Sequence, residues 1–386
     1  MKYSLTSHEF DETDKLNINK LLDSTKLTMG SNNKDFEKRL SSFFGTKYAL
    51  TCNSGSSANL LIIASLFYSG LLSQGDEILV PSVSWSTTFS PLSQFNMKLK
   101  FVDVDLDTYN LSIDILKKSI TKKTKAIIFV SLLGNSLGLP EIYDYCKKNN
   151  IILLEDNCES FGTKIMDQYS GSFGLLSSLS FYYSHQLPTV EGGAVLTDSR
   201  ELYDTLLCLR SHGWTRELND DTHLHVEQDK FKRKFRFTLP GYNLRMMEIS
   251  SVFGLRRLDL WNETFKRRYN NYLKFSNLFS DSKIMKIQKV CDNASLFGFG
   301  AVLSPEINRL DFYDYLESNN IETRPIVAGN FVKNKALDYM SFDDPGDLKN
   351  SDTIDNRGIF FGNCNKNLSD ELNYLKEKID AYEKSI

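Results

Sequence analysis

Three acidic residues, Glu155, Asp156 and Glu159, crowd the end of the apolar run IILLED (151–156) in the stretch LLEDNCESFG. Carboxylates at the end of a buried strand are costly unless they are paired or hold a ligand, and a cationic heterocycle would satisfy them. A second group is CNSGSSANL, in which Gly55, Ser56 and Ser57 open a helix. Free N–H groups and hydroxyls at a helix N-terminus cradle phosphate, although serine and glycine also simply cap helices. In PSVSWSTTF, Trp85 follows another apolar run, either as core or interface or as a ring that stacks on a planar ligand. SFYYSHQLPTVEGG, from Ser180 to Gly193, carries His185. An imidazole moves protons near neutral pH, or serves as one more satisfied polar group.

The metal-ligating types are less suggestive. Six cysteines (Cys52, Cys146, Cys158, Cys208, Cys291, Cys364) are scattered without a CxxC or other close spacing, as expected of isolated reduced thiols, and no zinc or iron–sulfur site is expected. His212, His223 and His225 fall in RSHGWTRELNDDTHLHVEQ; HLH alternates along an extended chain among charges, which predicts an exposed loop.

Something must hold these groups together. Apolar, β-rich runs at 48–52, 77–81, 99–104, 125–133 and 151–156 alternate with helix-like segments at 56–68, 112–119 and 139–148. Such alternation predicts an α/β fold with a mainly parallel sheet covered on both faces, its functional loops at the carboxyl ends of the strands. Beyond about Leu260 the pattern changes to amphipathic helices with shorter strands, ending in ELNYLKEKIDAYEK. Two units are therefore expected: an N-terminal arm and large domain over 1–260, and a small C-terminal domain over 261–386.

Size and charge agree. The 386 residues suffice for two cores. A net charge of −3 gives no basic footprint for nucleic acid. The start, MKYSLTSHEFDETDK, lacks a signal-peptide pattern and the longest apolar run, LLIIASLFYSGLL, is too short to span a bilayer, so a cytoplasmic protein without a membrane partner is expected.

Taken in order, these motifs resemble the sugar-nucleotide aminotransferases and dehydratases of the aspartate-aminotransferase (fold type I) superfamily. The resemblance runs from KLTMG at 26–30 to TRPIVAGNF at 323–331 and includes FTLPGYNLRMMEIS. It implies a pyridoxal 5'-phosphate site. Asp156 would pair with the pyridinium nitrogen, and Glu159 would meet the ring hydroxyl. Gly55, Ser56 and Ser180 would hold the phosphate, and Trp85 would cover the ring. Asn243, by the same resemblance, would reach the phosphate of the neighbouring subunit, which implies a homodimer with shared active sites. A carboxylate at the ring nitrogen favours its protonated form, which makes the ring an electron sink.

The family's lysine is missing. Its position is His185, and the chain contains no lysine between Ile165 and Asp229. Without a primary amine the chain cannot hold pyridoxal phosphate as an internal Schiff base. The resemblance then points to the family's 3-dehydratases of 3,6-dideoxysugar synthesis, which work through pyridoxamine 5'-phosphate held noncovalently. L-Glutamate would form that state, releasing 2-oxoglutarate. His185 would act as base while the C3 hydroxyl of a nucleotide-linked 4-keto-6-deoxy sugar leaves, and ammonia would follow. GYNLR, SHGWTRE and RPIVAGNF are closest to the branch acting on a GDP-linked 4-keto-6-deoxy sugar. Arg324 would meet the diphosphate; Arg216 and Arg245 are further clamps or structural ion pairs. Thr28, Met29 and Gly30 would lie on a loop over the sugar. A different base or a longer sugar, and a relative that only binds its ligand, stay open at this point.

Overall fold

The computed structural model describes residues 1–7, 10–225, 227 and 229–386. The large sheet contains β1 (Tyr48–Cys52), β2 (Glu77–Pro81), β3 (Lys98–Val102), β4 (Thr124–Val130) and β5 (Ile152–Asp156). A two-stranded hairpin follows, β6 (Lys164–Ile165) with β7 (Gln168–Tyr169), before β8 (Leu176–Ser180) and β9 (Gly193–Thr197) complete the large sheet. Its order is β1-β9-β8-β5-β4-β2-β3. The pairs from β8 through to β3 are parallel, whereas β9 runs antiparallel to both β1 and β8. That reversal matters for the site, because the connection from β8 to β9 carries His185 back across the carboxyl ends of the parallel strands.

Helices α1 (Glu12–Asp23), α2 (Ser31–Phe44), α3 (Gly55–Tyr68) and α4 (Ser86–Gln94) precede or interleave the first strands. From Leu60 to Tyr68 α3 is apolar apart from Ser65, and Leu61, Ile62, Ile63 and Leu66 are buried, as a helix segment hydrophobic on nearly every side must be. Ser54 caps it, accepting from Ser57 N at 3.1 Å. The first turn therefore starts at a defined point beside the end of β1.

Two predicted runs end early. The third strand stops at Val102 and the fourth at Val130. Leu132–Gly134 forms a 3-10 turn instead, with Leu133 at φ 56°. Leu133 N donates to the Glu159 carboxylate at 2.9 Å, so the turn bends the chain toward a site residue.

The second sheet comprises β10 (Met285–Ile287), β11 (Gly298–Leu303), β12 (Thr323–Arg324) and β13 (Gly358–Gly362), antiparallel in the order β10-β11-β13-β12. Its apolar cluster includes Phe275, Phe299, Phe361 and Leu372. Tyr3 belongs to the same cluster and donates its hydroxyl to Gly362 O at 2.6 Å. The first residues of the N-terminal arm thus pack on this second sheet, since a buried ring with a polar tip goes where the tip finds an acceptor. Among the described residues no helix is long and apolar enough to cross a membrane.

Candidate active site

A cavity of about 370 Å³ opens at the carboxyl ends of the parallel strands. Gly55, Ser56, Trp85, Asp156, Glu159, Ser180, His185 and Arg324 all line it. They arrive from α3, the start of α4, β5 and its following loop, β8, the return to β9, and β12 of the second sheet.

Asp156 ends β5 and is 6% exposed. Its Oδ2 accepts from Thr88 Oγ1 at 2.7 Å and Asn59 Nδ2 at 2.9 Å, and its Oδ1 accepts from Cys158 N at 3.2 Å and Ser178 Oγ at 3.4 Å. Every one of these donors is neutral. A buried carboxylate that faces a cavity without a cation beside it is suited to a protonated ring nitrogen. Glu155, one residue earlier, points the other way, as strand alternation demands. It accepts from Gly171 N, Phe173 N and Gly174 N at 2.6, 2.8 and 2.6 Å and anchors that loop. The crowded acidic trio of the sequence is therefore a structural residue and two cavity residues.

The Glu159 carboxyl accepts from Leu133 N. Burial pushes it above the usual range, against the opposing pull of the Arg324 charge and of that N–H.

The phosphate-type cradle forms where α3 begins. A Cβ on Gly55 would lie 2.6 Å from Ser180 Cβ and 2.9 Å from Cys158 Sγ, so only glycine lets this first turn approach the end of β8. Ser56 Oγ donates to Thr87 Oγ1 at 2.9 Å on the same rim. Trp85 stands at the N-cap of α4 with its side chain 55% exposed, an apolar ring at the cavity mouth. The cradle, the lone carboxylate and the ring surface together fit a phosphorylated pyridine cofactor.

His185 Nδ1 lies 2.7 Å from Cys158 O. A carbonyl oxygen only accepts, so Nδ1 carries the proton and Nε2 keeps its lone pair. Burial drives the imidazole pKa down from 6.5 to about 4. The positive charges of Arg324 and Arg268 add to that shift, while the Cys158 carbonyl and Asp156 oppose it. The ring is a neutral base at pH 7. No lysine lines the cavity among the described residues. Arg324 sits with its guanidinium 4.3 Å from the Phe360 ring centroid and 5.3 Å from that of Phe297, and its Nε has no hydrogen-bond partner among the described residues.

The other six predicted residues lie outside this cavity in the single chain. Asn243 is exposed and accepts from Arg245 Nε at 3.0 Å. Thr28 bridges Met247, and Gly30 N donates to Glu248 Oε1 at 2.6 Å. Gly30 is thus engaged in the cap of α2, and a Cβ there would lie 2.9 Å from the Glu248 carboxylate. Met29 and Arg216 line a separate polar cavity of about 680 Å³, with the Arg216 guanidinium 3.5 Å over the Trp214 ring. Of the three loop histidines His223 is exposed, whereas His212 and His225 are half-buried. Among the described residues no group of three or more His, Cys, Asp or Glu side chains could hold a metal ion.

Sequence reasoning missed Asn59, Thr88 and Ser178, which hold Asp156, and Phe297, which packs its ring 4.9 Å from that of His185. Asn59 lies four residues after Gly55 on α3, a helical spacing that places the two on one face. Phe297 had no comparable signal, because it comes from the start of the second sheet.

The sheet order, the reversed β9 and the cavity at the strand ends define the fold type I architecture of pyridoxal-phosphate-dependent enzymes. The chain belongs to the DegT/DnrJ/EryC1/StrS aminotransferase family, whose model matches residues 8–379. Two similar relatives are named GDP-4-keto-6-deoxy-D-mannose 3-dehydratase. The one from Yersinia pseudotuberculosis is 40% identical over 382 residues, covering 97% of each chain. The one from Escherichia coli O55:H7 is 41% identical over 385 residues, covering 98% of this chain and 99% of its own. A solved structure of GDP-4-keto-6-deoxymannose-3-dehydratase with a trapped PLP-glutamate geminal diamine is also similar. It superposes with a TM-score of 0.95 at 40% identity over 98% of this chain and 100% of that one.

Proposed function

We propose that this chain is a 3-dehydratase of a nucleotide-linked 4-keto-6-deoxyhexose, acting on GDP-4-keto-6-deoxy-D-mannose with L-glutamate as the amine and electron source. The observation that carries the reading is His185. By the resemblance, a neutral imidazole stands where the family has its lysine, inside a cavity also lined by Asp156, Trp85 and the start of α3. The full-length similarity to two proteins of that name supports the substrate.

Asp156 would hold the pyridine nitrogen protonated, and Glu159 would face the ring oxygen. Gly55, Ser56 and Ser180 would seat the phosphate at the start of α3, and Trp85 would cover the ring. When bound, pyridoxamine phosphate supplies an amine for the C4 ketone and a protonated ring that accepts electrons. His185 Nε2 takes the proton whose loss lets the C3–O bond break. The same nitrogen, then charged, would protonate the leaving oxygen. Overall, the C3 hydroxyl is replaced by hydrogen, glutamate is oxidised to 2-oxoglutarate, and ammonia is released, so electrons and atoms balance.

Arg324 would meet the diphosphate, its planar guanidinium suited to two oxygens at once. Asn243 would reach the phosphate of the neighbouring subunit in a homodimer, Thr28, Met29 and Gly30 would lie on a loop over the sugar, and Arg216 and Arg245 would be further clamps or structural ion pairs. The exposed Trp85, Asn243 and Met247 support such a covering copy. The reading takes 1–260 and 261–386 as the two domains, divided where the helices Glu248–Asp259 and Trp261–Phe279 meet, and places the enzyme in the cytoplasm.

The test is to mix purified protein with pyridoxal phosphate, L-glutamate and GDP-4-keto-6-deoxymannose and follow 2-oxoglutarate, ammonia and sugar mass together. Ammonia stoichiometric with loss of one oxygen from the sugar is the expected result. If 2-oxoglutarate forms while the sugar is unchanged, the substrate assignment falls; if neither forms, the enzymatic reading falls.

A further inference from the structure

Gln186, next to His185, has no part in that chemistry, yet it is 1% exposed. Its Nε2 donates to two backbone carbonyls, Glu159 O and, at 2.8 Å, Ser295 O. Its Oε1 has no partner among the described residues. A buried amide left half-satisfied is destabilising on its own, so the two bonds it makes call for a reason.

Those bonds join three segments that meet around the base. Glu159 belongs to the loop after β5, His185 to the return from β8 to β9, and Ser295 to the lead into β11. The Ser295 segment is itself rigidly placed. Ser295 N donates to Thr163 Oγ1 at 2.9 Å and Phe297 N to Leu133 O at 2.9 Å. Arg268, fully buried, donates Nε and Nη2 to Leu296 O at 3.2 and 2.9 Å, and Nη2 to Phe297 O at 2.9 Å. The Phe297 ring presented by this segment lies 4.9 Å from the His185 ring, tilted 33°. The imidazole is thereby held between the Cys158 carbonyl and an aromatic face.

We propose that Gln186 is a positioning residue for the proton-moving His185. By tying the histidine loop to the Glu159 and Ser295 carbonyls at once, it seats the imidazole against Phe297 with Nδ1 on Cys158 O. This deepens the 3-dehydratase reading and rests on His185 being its base. A one-ångström displacement of a reacting group costs about a hundredfold in rate, which sets the expected effect. Loosening the loop also admits water and moves the imidazole toward its ordinary pKa of 6.5. The charged groups that act on the ring are Arg324 from β12, Arg268 from the helix Trp261–Phe279 and Asp156 at the end of β5, and the buried carboxyl of Glu159 lines the same cavity. Gln186→Met leaves the chemical identity of each of these side chains unchanged.

The experiment compares Gln186→Met, which keeps volume and removes both donors, with Phe297→Leu, Phe297→Tyr and His185→Asn in the full-length protein loaded with pyridoxal phosphate. kcat and KM for GDP-4-keto-6-deoxymannose are measured across pH. For Gln186→Met we expect kcat to fall about 100-fold with KM changed less than about twofold, and the acid limb of kcat to move upward in pH. Phe297→Leu should follow in the same direction, while Phe297→Tyr, which keeps the ring, retains most of the wild-type rate. A wild-type kcat and an unmoved acid limb in both Gln186→Met and Phe297→Leu, with His185→Asn inactive, overturns this inference alone. Retained turnover in His185→Asn overturns the underlying reading as well.

Discussion

Two buried carboxylates in this molecule each collect four hydrogen bonds and serve opposite ends. Glu248, at the start of the helix Glu248–Asp259, accepts from Gly30 N, Asn33 N, Asn32 N and Asn32 Nδ2 at 2.6, 3.0, 3.1 and 2.9 Å. Three of those donors are backbone N–H groups at the N-terminal end of α2, where the helix dipole itself favours a negative charge. Asp156 also has four donors, but three are side-chain hydroxyl or amide groups and the residue faces the cavity. Donor count does not separate a structural carboxylate from a reactive one. What separates them is the source of the donors and whether a ligand can still reach the carboxylate.

That contrast is open to attack. The largest effect is expected at the proposed base in the same cavity as Asp156: His185→Asn should fold and bind cofactor yet lose more than about a thousandfold of dehydration, measured as ammonia release. Retained turnover would remove the histidine from the mechanism. Asp156→Asn should slow both the glutamate and the sugar half-reactions about a hundredfold or more with the melting temperature little changed, checked by stopped-flow absorbance and calorimetry. Glu248→Ala should do the reverse. It leaves buried N–H groups unsatisfied, costs about 3 kcal/mol of stability in denaturant melts, and leaves kcat of the folded fraction near wild type. If Glu248→Ala silences chemistry in a fully folded protein, the division proposed here is wrong.

Asn243→Ala should weaken cofactor phosphate binding about tenfold, and mixed dimers that pair an Asn243→Ala chain with a His185→Asn chain should recover one functional site. No recovery would argue against a shared site. The smallest effect is spectroscopic. The His185 ring in cofactor-free protein should stay neutral as pH falls from 7 to about 5, because its folded pKa lies near 4. The unfolded chain binds that proton first, so the stability tied to this residue is present above pH 6.5 and is lost as pH falls toward 4. A histidine-selective NMR titration with a midpoint near 6.5 would contradict the burial argument.

The parts of the site that were legible in the sequence are those built within one strand–loop–helix unit. Gly55 and Ser56, Trp85, and Asp156 with Glu159 each follow an apolar run directly, so the spacing of the run located them at a strand end. Glu155 was misjudged with its neighbours, because the direction of a side chain at a strand end depends on the pleat and on a loop 16 residues later. Phe297, Arg268 and Gln186 gave no signal, since each acts through a contact 27 residues or more away. The halt of β4 at Val130 was equally hidden; it depends on Leu133 N finding Glu159.

By itself, the sequence determined the α/β class, the order of the motifs, and the absence of an amine beside His185, for these follow from residue types and local periodicity. Only the tertiary structure decided that the His185 loop turns back antiparallel into β9 and that the second sheet supplies Phe297 and Arg324. It alone also decided that the imidazole is buried far enough to remain a neutral base. Burial and desolvation depend on which distant segments close over a group, and a linear sequence does not carry that information in any local pattern.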